Sequence, residues 1–247
     1  MLQIEQVIRP AEQGITTPFL CKAHDNNYYF IKGYRANIDG LIKEWLGAHL
    51  ARAFGLEVPD FDVAYLDKQL VANYNGDAAS ELKAGIVFAS KKVDAASELR
   101  FETITLVDKQ TRLNLLVFDL WVENEDRTLS VNGGNPNLLW KTDKSKLYVF
   151  DHNLIFDPRF DKLKFWQTHV FSSVLCNKQA DWLEKMEFER RMKNALDSWQ
   201  SAWDSLPEEW RIKNEGHLYF NPERHQERLN NEANGDIWLK LNGKTSL

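Results

Sequence analysis

Apolar and polar positions along the chain change period about a third of the way in. "FLCKAH" and "YYFIKGY" are short apolar runs separated by Asp25, Asn26 and Asn27. That turn-forming cluster predicts a hairpin, with Lys32 near the end of its second strand. "NIDGLIKEWLGAHLARAFGLEVP" carries the strongest helical pattern of this region. Ile42, Trp45, Leu46, Leu50, Ala53 and Phe54 fall on one stripe, Asp39 is the expected cap, Gly55 the stop, and Pro59 follows. "FDVAYL" and "QLVANY" read as further strands, and "AGIVFASKK" (84–92) as a connection between two lobes.

Beyond it the helical period dominates. "TRLNLLVFDLW" sets Leu113, Leu116, Val117 and Leu120 on one face, and "NLLW" and "KLYVFD" read as two strands joined by residues 142–145. The last third reads as helical, strongest in "DWLEKMEFERRMKNALDSW", with Ser205 capping and Pro207 opening a helix at "SLPEEW". After Asn230 the chain reads as a polar tail.

Composition narrows the classes without choosing a function. With 247 residues, 43% of them apolar, the chain can form one large domain or two lobes sharing a cleft. A net charge of −5 argues against a dedicated nucleic-acid surface. No apolar run reaches the roughly 20 residues of a membrane span, and "MLQIEQVIRP" lacks the layout of a signal peptide. Cys21 and Cys176 have no metal-like spacing, so they are expected as buried or partly buried thiols in a reducing cytoplasm.

Between the apolar helix and the apolar hairpin lies "NEDRTLSVNGGNPNLLW" (124–140), a polar stretch in the middle of core-like sequence. With its neighbours it completes a set in chain order: a strand lysine (Lys32), a helix glutamate (Glu44), a loop aspartate (Asp126), an asparagine before a strand (Asn137) and an aspartate at the end of the next strand (Asp151). Phosphoryl transfer from ATP needs these types: a lysine on the phosphates, a carboxylate holding it, an Asp orienting the acceptor hydroxyl, and an Asn and Asp for the metal. Glu44 shares its helix face with Gly47, Ala48 and Ala51, small residues that allow close approach, so Lys32 is its candidate partner. The alternative is an exposed glutamate on a tolerant face. Asp151 is either a hard-cation ligand or a cap of the "DHN" turn. His152 packs or hydrogen-bonds beside the site, Arg127 holds the loop, and Asn124 caps the preceding helix or supports Asp126.

"FDLWVENEDRT…NPNLLW…LYVFDHNLIF" resembles the catalytic core of the HipA-like kinases, and the similarity extends over roughly residues 10–215. The resemblance implies an α+β, two-lobed protein-kinase-like fold: a small mainly-β N-terminal lobe with one helix (1–86), a hinge (87–91), a larger mainly helical C-terminal lobe (92–230) and the polar tail (231–247). It implies ATP and Mg²⁺ as cofactors, with Asp126, Lys32 and Glu44 catalytic and Asn137 and Asp151 on the metal. Val87, Phe88 and Ala89 would offer backbone groups to adenine.

Three departures stand out. Asn137 lies eleven positions after Asp126, with "SVNGG" as an insertion that makes Asn135 a rival for the metal role. Asn153 stands where the family pattern has Gly. No G-x-G-x-x-G occurs near Gly14, leaving Thr16, Thr17 and backbone amides for the phosphates. The resemblance implies transfer to a protein Ser/Thr hydroxyl, a toxin-like role and an antitoxin or DNA-binding partner protein. A pseudokinase that binds nucleotide without transfer, and a small-molecule or lipid kinase, are the competing readings.

Overall fold

A computed structural model describes residues 1–11, 17–32, 37–175, 182–217 and 220–242. The chain divides into two compact units, one of residues 1–45, 59–94 and 205–220, the other of 46–58, 95–204 and 221–247. They are not the contiguous segments 1–86 and 92–230 expected from the sequence. The division falls inside the helix α1 (Asn37–Phe54), and a C-terminal stretch groups with the first unit.

The first unit is built on a closed five-stranded barrel in the order β1-β2-β3-β5-β4. Its strands are β1 (Leu2–Pro10), β2 (Phe19–Ala23), β3 (Tyr28–Lys32), β4 (Phe61–Leu66) and β5 (Gly85–Lys91). β1 closes the barrel by running parallel to β4 through Leu2↔Ala64 and Gln3↔Tyr65. The predicted hairpin forms, with Phe19↔Ile31 through Lys22↔Tyr28 in register and Asp25 accepting the Asn27 N–H at 3.0 Å. Ile4, Phe19, Cys21, Tyr29, Ile31, Ala64, Val87 and Ala89 fill the interior. Burial pushes the Cys21 thiol up to about 12, so it is a packing group. Cys176 lies outside the described residues.

Two expectations fail here. "QLVANY" lies in a helix, α2 (Lys68–Asn73), because Asp67 caps it by accepting the Gln69 N–H at 2.7 Å. A strong N-cap decides the outcome for a run too short to show its period. The expected hinge at 87–91 is the body of β5. Phe88 and Ala89 pair with β3 on one side and β4 on the other, and Val87 pairs with Ala64. Val87, Phe88 and Ala89, expected to offer backbone groups to adenine, therefore lie within a strand rather than in a connection, with Phe88 and Ala89 paired on both sides.

In the second unit, β6 (Ser97–Glu98) precedes α3 (Lys109–Val122), β7 (Thr128–Ser130), β8 (Gly133–Asn135), β9 (Leu138–Lys141) and β10 (Lys146–Val149). Asp108 caps α3 through the Thr111 N–H, and every residue from Leu113 to Val122 is buried, well beyond the single expected face. β9 and β10 form the expected hairpin, Leu138↔Val149 being its last pair.

The helices that follow are α4 (Lys162–Thr168), α5 (Trp182–Asp197), α6 (Trp199–Asp204), α7 (Glu208–His217), α8 (Pro222–Asn231) and α9 (Ile237–Asn242). α7 belongs to the first unit. There the Ser205 hydroxyl, expected as a helix cap, accepts from the Trp45 indole at 3.2 Å. The polar tail is also corrected over 231–242. Residues 232–236 join α8 to α9 across a kink at Gly235 (φ +122), with Ala233 and Ile237 wholly buried. Two apolar anchors hold a segment whose average composition is polar. No helix among the described residues is long and apolar enough to cross a membrane.

Candidate functional site

The period-two alternation of β3 positions Lys32. Tyr29 and Ile31 point into the barrel, so Phe30 and Lys32 lie on its outer face. There Lys32 Nζ stands 2.8 Å from Glu44 Oε2 of α1, with side-chain exposures of 9% and 3%. Phe88 is directly opposite Lys32 in register and stacks on Phe61, with Trp45 edge-on to both rings. An aromatic wall thus flanks the pair and keeps it partly dry, which strengthens the charge interaction. The glutamate predicted from its small-residue face is buried and ion-paired.

Gly47, one turn further along α1, belongs to the second unit. A Cβ there would lie 2.4 Å from the Cβ of His152 and 2.9 Å from Ile155. Gly47 therefore leaves the room that His152 and Ile155 occupy. His152 is 1% exposed and meets Phe118 edge-on at 6.3 Å. Asp151 immediately precedes it with φ +59, a left-handed backbone. Asn153 has no positive φ, so the position after Asp-His does not demand glycine in this chain.

The polar stretch is organised by a residue that pattern reading missed. Asp119 lies in α3 with no exposure. Arg127 Nε stands 2.9 Å from its Oδ2, Asn124 Nδ2 donates to Oδ1 at 3.1 Å, and His169 Nε2 contacts Oδ2 at 3.1 Å. His169 Nδ1 accepts the Phe171 N–H. That leaves Nε2 as the protonated nitrogen of a neutral ring, donating to Asp119. Burial lowers the His169 pKa, with Arg127 adding to the effect against the pull of Asp119. The available signal was an acid inside "LLVFDLWV", where every neighbour is apolar.

Arg127 carries this anchoring outward. Its Nη1 donates to the carbonyls of Asn137 at 2.9 Å and Phe150 at 2.7 Å, and the Phe150 N–H donates to the Asn137 carbonyl. The residues at the open end of the β9–β10 hairpin are therefore locked to each other, bringing Asn137 and the backbone of Asp151 to one place. Asn137 is 4% exposed with φ +50, and its Nδ2 donates to Asp126 Oδ2 at 2.9 Å. Asn124 Oδ1 accepts the Asp126 N–H at 3.2 Å, so it supports that residue as one of the two expectations held.

"SVNGG" is a hairpin. β7 and β8 pair from Thr128↔Asn135 to Ser130↔Gly133. The turn has the residues its geometry favours: Ser130 Oγ accepts the Asn132 N–H, and Gly133 takes φ +96. A Cβ on Gly134 would lie 2.4 Å from the Thr128 carbonyl, so the pairing also requires that glycine. The Thr128↔His169 bridge ties the other edge of β7 to the buried network. At the base of the hairpin, Asn135 Nδ2 donates to Asp126 Oδ2 at 2.8 Å. Both candidate metal asparagines thus meet the candidate catalytic aspartate.

Thr17 stands just ahead of β2 with φ +45, where the Ala11 N–H donates to the Pro18 carbonyl and closes the β1–β2 hairpin. Thr16 and Gly14 lie outside the described residues. Among the described residues no group of three or more His, Cys, Asp or Glu is placed to hold a metal by itself. Flanking the open end of the β9–β10 hairpin, Asn137 carries an amide oxygen and Asp151 a carboxylate.

Among solved structures the chain is similar to the proinflammatory kinase CtkA of Helicobacter pylori, at 14% identity over 95% of this chain and 91% of that one, with a TM-score of 0.50. It is also similar to the Golgi casein kinase, at 12% identity over 100% of this chain and 73% of that one, TM-score 0.52. A second structure of that kinase, with Mn and ADP bound, gives 12% identity over 96% and 72%, TM-score 0.53. At such identities the likeness is one of fold, and the fold is α+β and kinase-like. A search of curated protein sequences returned no significant match. Residues 4–241 match the family described as HipA-like kinase, and with that match over almost the whole length the chain belongs to the HipA-like kinase family.

Proposed function

We propose that this chain transfers the γ-phosphoryl group of ATP, with magnesium, to a serine or threonine hydroxyl of a protein. The observation that carries the proposal is the Asp126 carboxylate, held by the Asn137 amide beside a hairpin end that also bears Asp151. Family membership and kinase-like neighbours support phosphotransfer; the acceptor and the metal are this proposal's own.

In this reading Asp126 accepts a hydrogen bond from the acceptor hydroxyl and orients it toward the phosphorus. An ionised carboxylate only accepts hydrogen bonds, so Asn137 must present its N–H side to Asp126, and its carbonyl oxygen then remains for a cation. Asn137 Oδ1 and the Asp151 carboxylate are hard oxygen donors, the type Mg²⁺ prefers. Two protein ligands suffice when phosphate oxygens and water fill the other positions. Bound there, magnesium would neutralise charge on the phosphates. The Golgi casein kinase structure with Mn and ADP supports the same pairing of nucleotide and divalent ion. Lys32 steadies the phosphates while Glu44 holds its ammonium in place. The strand-rich unit serves as the nucleotide lobe and the other as the catalytic lobe.

The test is γ-labelled ATP with magnesium, offered to the protein alone and with cell lysate, for the parent and Asp126→Asn. The parent should label itself or a lysate protein, and the variant should lose about 10²–10⁴-fold while ATP still protects it against heating. Equal transfer by the two proteins overturns the assignment. Protection by ATP with no transfer from the parent identifies a binding module.

A further inference from the structure

We propose that Asn135 is a positioning residue for Asp126, carried into place by the β7–β8 hairpin, and is not a metal ligand. The inference rests on the kinase reading above. Asp126 Oδ2 receives two amide N–H groups, from Asn135 at 2.8 Å and from Asn137 at 2.9 Å. Only the nitrogen side of each amide suits a carboxylate; what separates the two is that the Asn137 carbonyl accepts the Phe150 N–H, which sets Asn137 beside Asp151, whereas Asn135 is set by the β7–β8 hairpin.

The two asparagines differ in what holds them. Asn137 is buried and fixed through its carbonyl by Arg127. Asn135 is exposed, and its place depends on the hairpin: Thr128↔Asn135 is the base pair, and the Asn135 N–H donates to Thr128 Oγ1 at 3.3 Å. One hydrogen bond leaves a carboxylate free to rotate about its last torsion. A second bond to the same oxygen, from Asn135 at the end of β8, restrains that rotation, and a displacement of about 1 Å at such a group costs about 100-fold in rate. This gives the inserted "SVNGG" a purpose: its turn returns the chain so that residue 135 comes back beside residue 126.

Asn135→Ala and the isosteric Asn135→Asp separate the two roles. The probe is Mg-ATP, with γ-phosphate counted on the chain and in water, over titrations of nucleotide and of magnesium. A positioning residue predicts that Asn135→Ala lowers kcat about 10-fold, with KM for ATP and the half-saturating magnesium unchanged. Asn135→Asp should fall further, because it places a second carboxylate against Asp126. A metal ligand predicts the reverse: Asp retains activity or lowers the magnesium requirement, while Ala raises it and recovers at high magnesium. That pattern, or a kcat for Asn135→Ala within twofold of the parent, overturns the proposal. Asn135→Asp preserves side-chain shape, so a melting temperature equal to the parent's assigns its loss to charge. Absence of any transfer by the parent defeats the kinase reading and this role with it. An active parent with an unaffected Asn135→Ala defeats this role alone.

Discussion

Each unit contains a buried ion pair, and the two are built to different ends. Lys32–Glu44 joins a strand to a helix through a compact ammonium on a flexible stem, 9% exposed and flanked by aromatic rings. Arg127–Asp119 has no exposure at all, and the guanidinium also binds two backbone carbonyls. A lysine with three rotatable donors can keep its glutamate and still address a phosphate. A planar fork already bonded through Nε and Nη1 is fixed in place. The first pair suits a working charge and the second an anchor, which is why the same chemistry argues for function in one unit and for architecture in the other.

Breaking the anchor should have the largest effect on stability. Arg127→Ala leaves Asp119 charged and buried and frees two carbonyls, so about 3–5 kcal/mol of stability should be lost, read by urea unfolding. The contrast sharpens with paired replacements. Lys32→Met with Glu44→Leu should return to within about 1–2 kcal/mol of the parent while transfer stays abolished, because an apolar pair can replace a buried ion pair. Arg127→Met with Asp119→Leu should not recover, since the Phe150 carbonyl loses the Arg127 donor and Asn124 and His169 lose the Asp119 acceptor. Full recovery there would show that the pair itself, and not its reach to the hairpin, holds the second unit.

Gly47→Ala comes next. Helix propensity alone favours alanine by about 1 kcal/mol, but its Cβ would meet His152 at 2.4 Å. The contact is with the Cβ of the partner, which cannot swing away, so a net loss of about 1–3 kcal/mol is expected by thermal or chemical melting. The smallest effect is on pH. Burial lowers the pKa of His169, and burial together with Arg52 lowers that of His49 from 6.5 to about 4. The folded protein keeps both rings neutral, so stability is complete above the unfolded value of 6.5. It declines as pH falls toward 4, because the unfolded chain takes up protons first. Melting temperature should therefore drop between pH 7 and pH 5, by roughly 1–2 kcal/mol of stability for His49. His49→Gln should flatten that slope.

Much of the candidate site was legible because its residues interrupt patterns. Lys32 ends an apolar strand, Asp151 ends another, and Glu44 lies among Gly47, Ala48 and Ala51 where a solvated face would carry polar neighbours. The β2–β3 and β9–β10 hairpins and both long helices around the site follow from periodicity and turn residues. The expected hinge failed because strand and connection share one apolar vocabulary. Only pairing with β3 and β4 shows that 87–89 belong to the ladder. Asp119 was overlooked because the stripe rule scores one face, and α3 is buried on every side.

By itself, then, the sequence named the candidate residues and the local elements of Lys32, Glu44 and Asp126, since charge, alternation and turn preference are properties of neighbours along the chain. The tertiary structure decided what those residues hold. Residue 119 binds 127, 127 binds 137 and 150, and 126 receives amides from 135 and 137. Such contacts span up to 50 residues, as between His169 and Asp119, and no local pattern encodes a partner at that distance. "SVNGG" shows the division most plainly: its turn residues were readable, but the return of Asn135 to Asp126 exists only once the hairpin has formed.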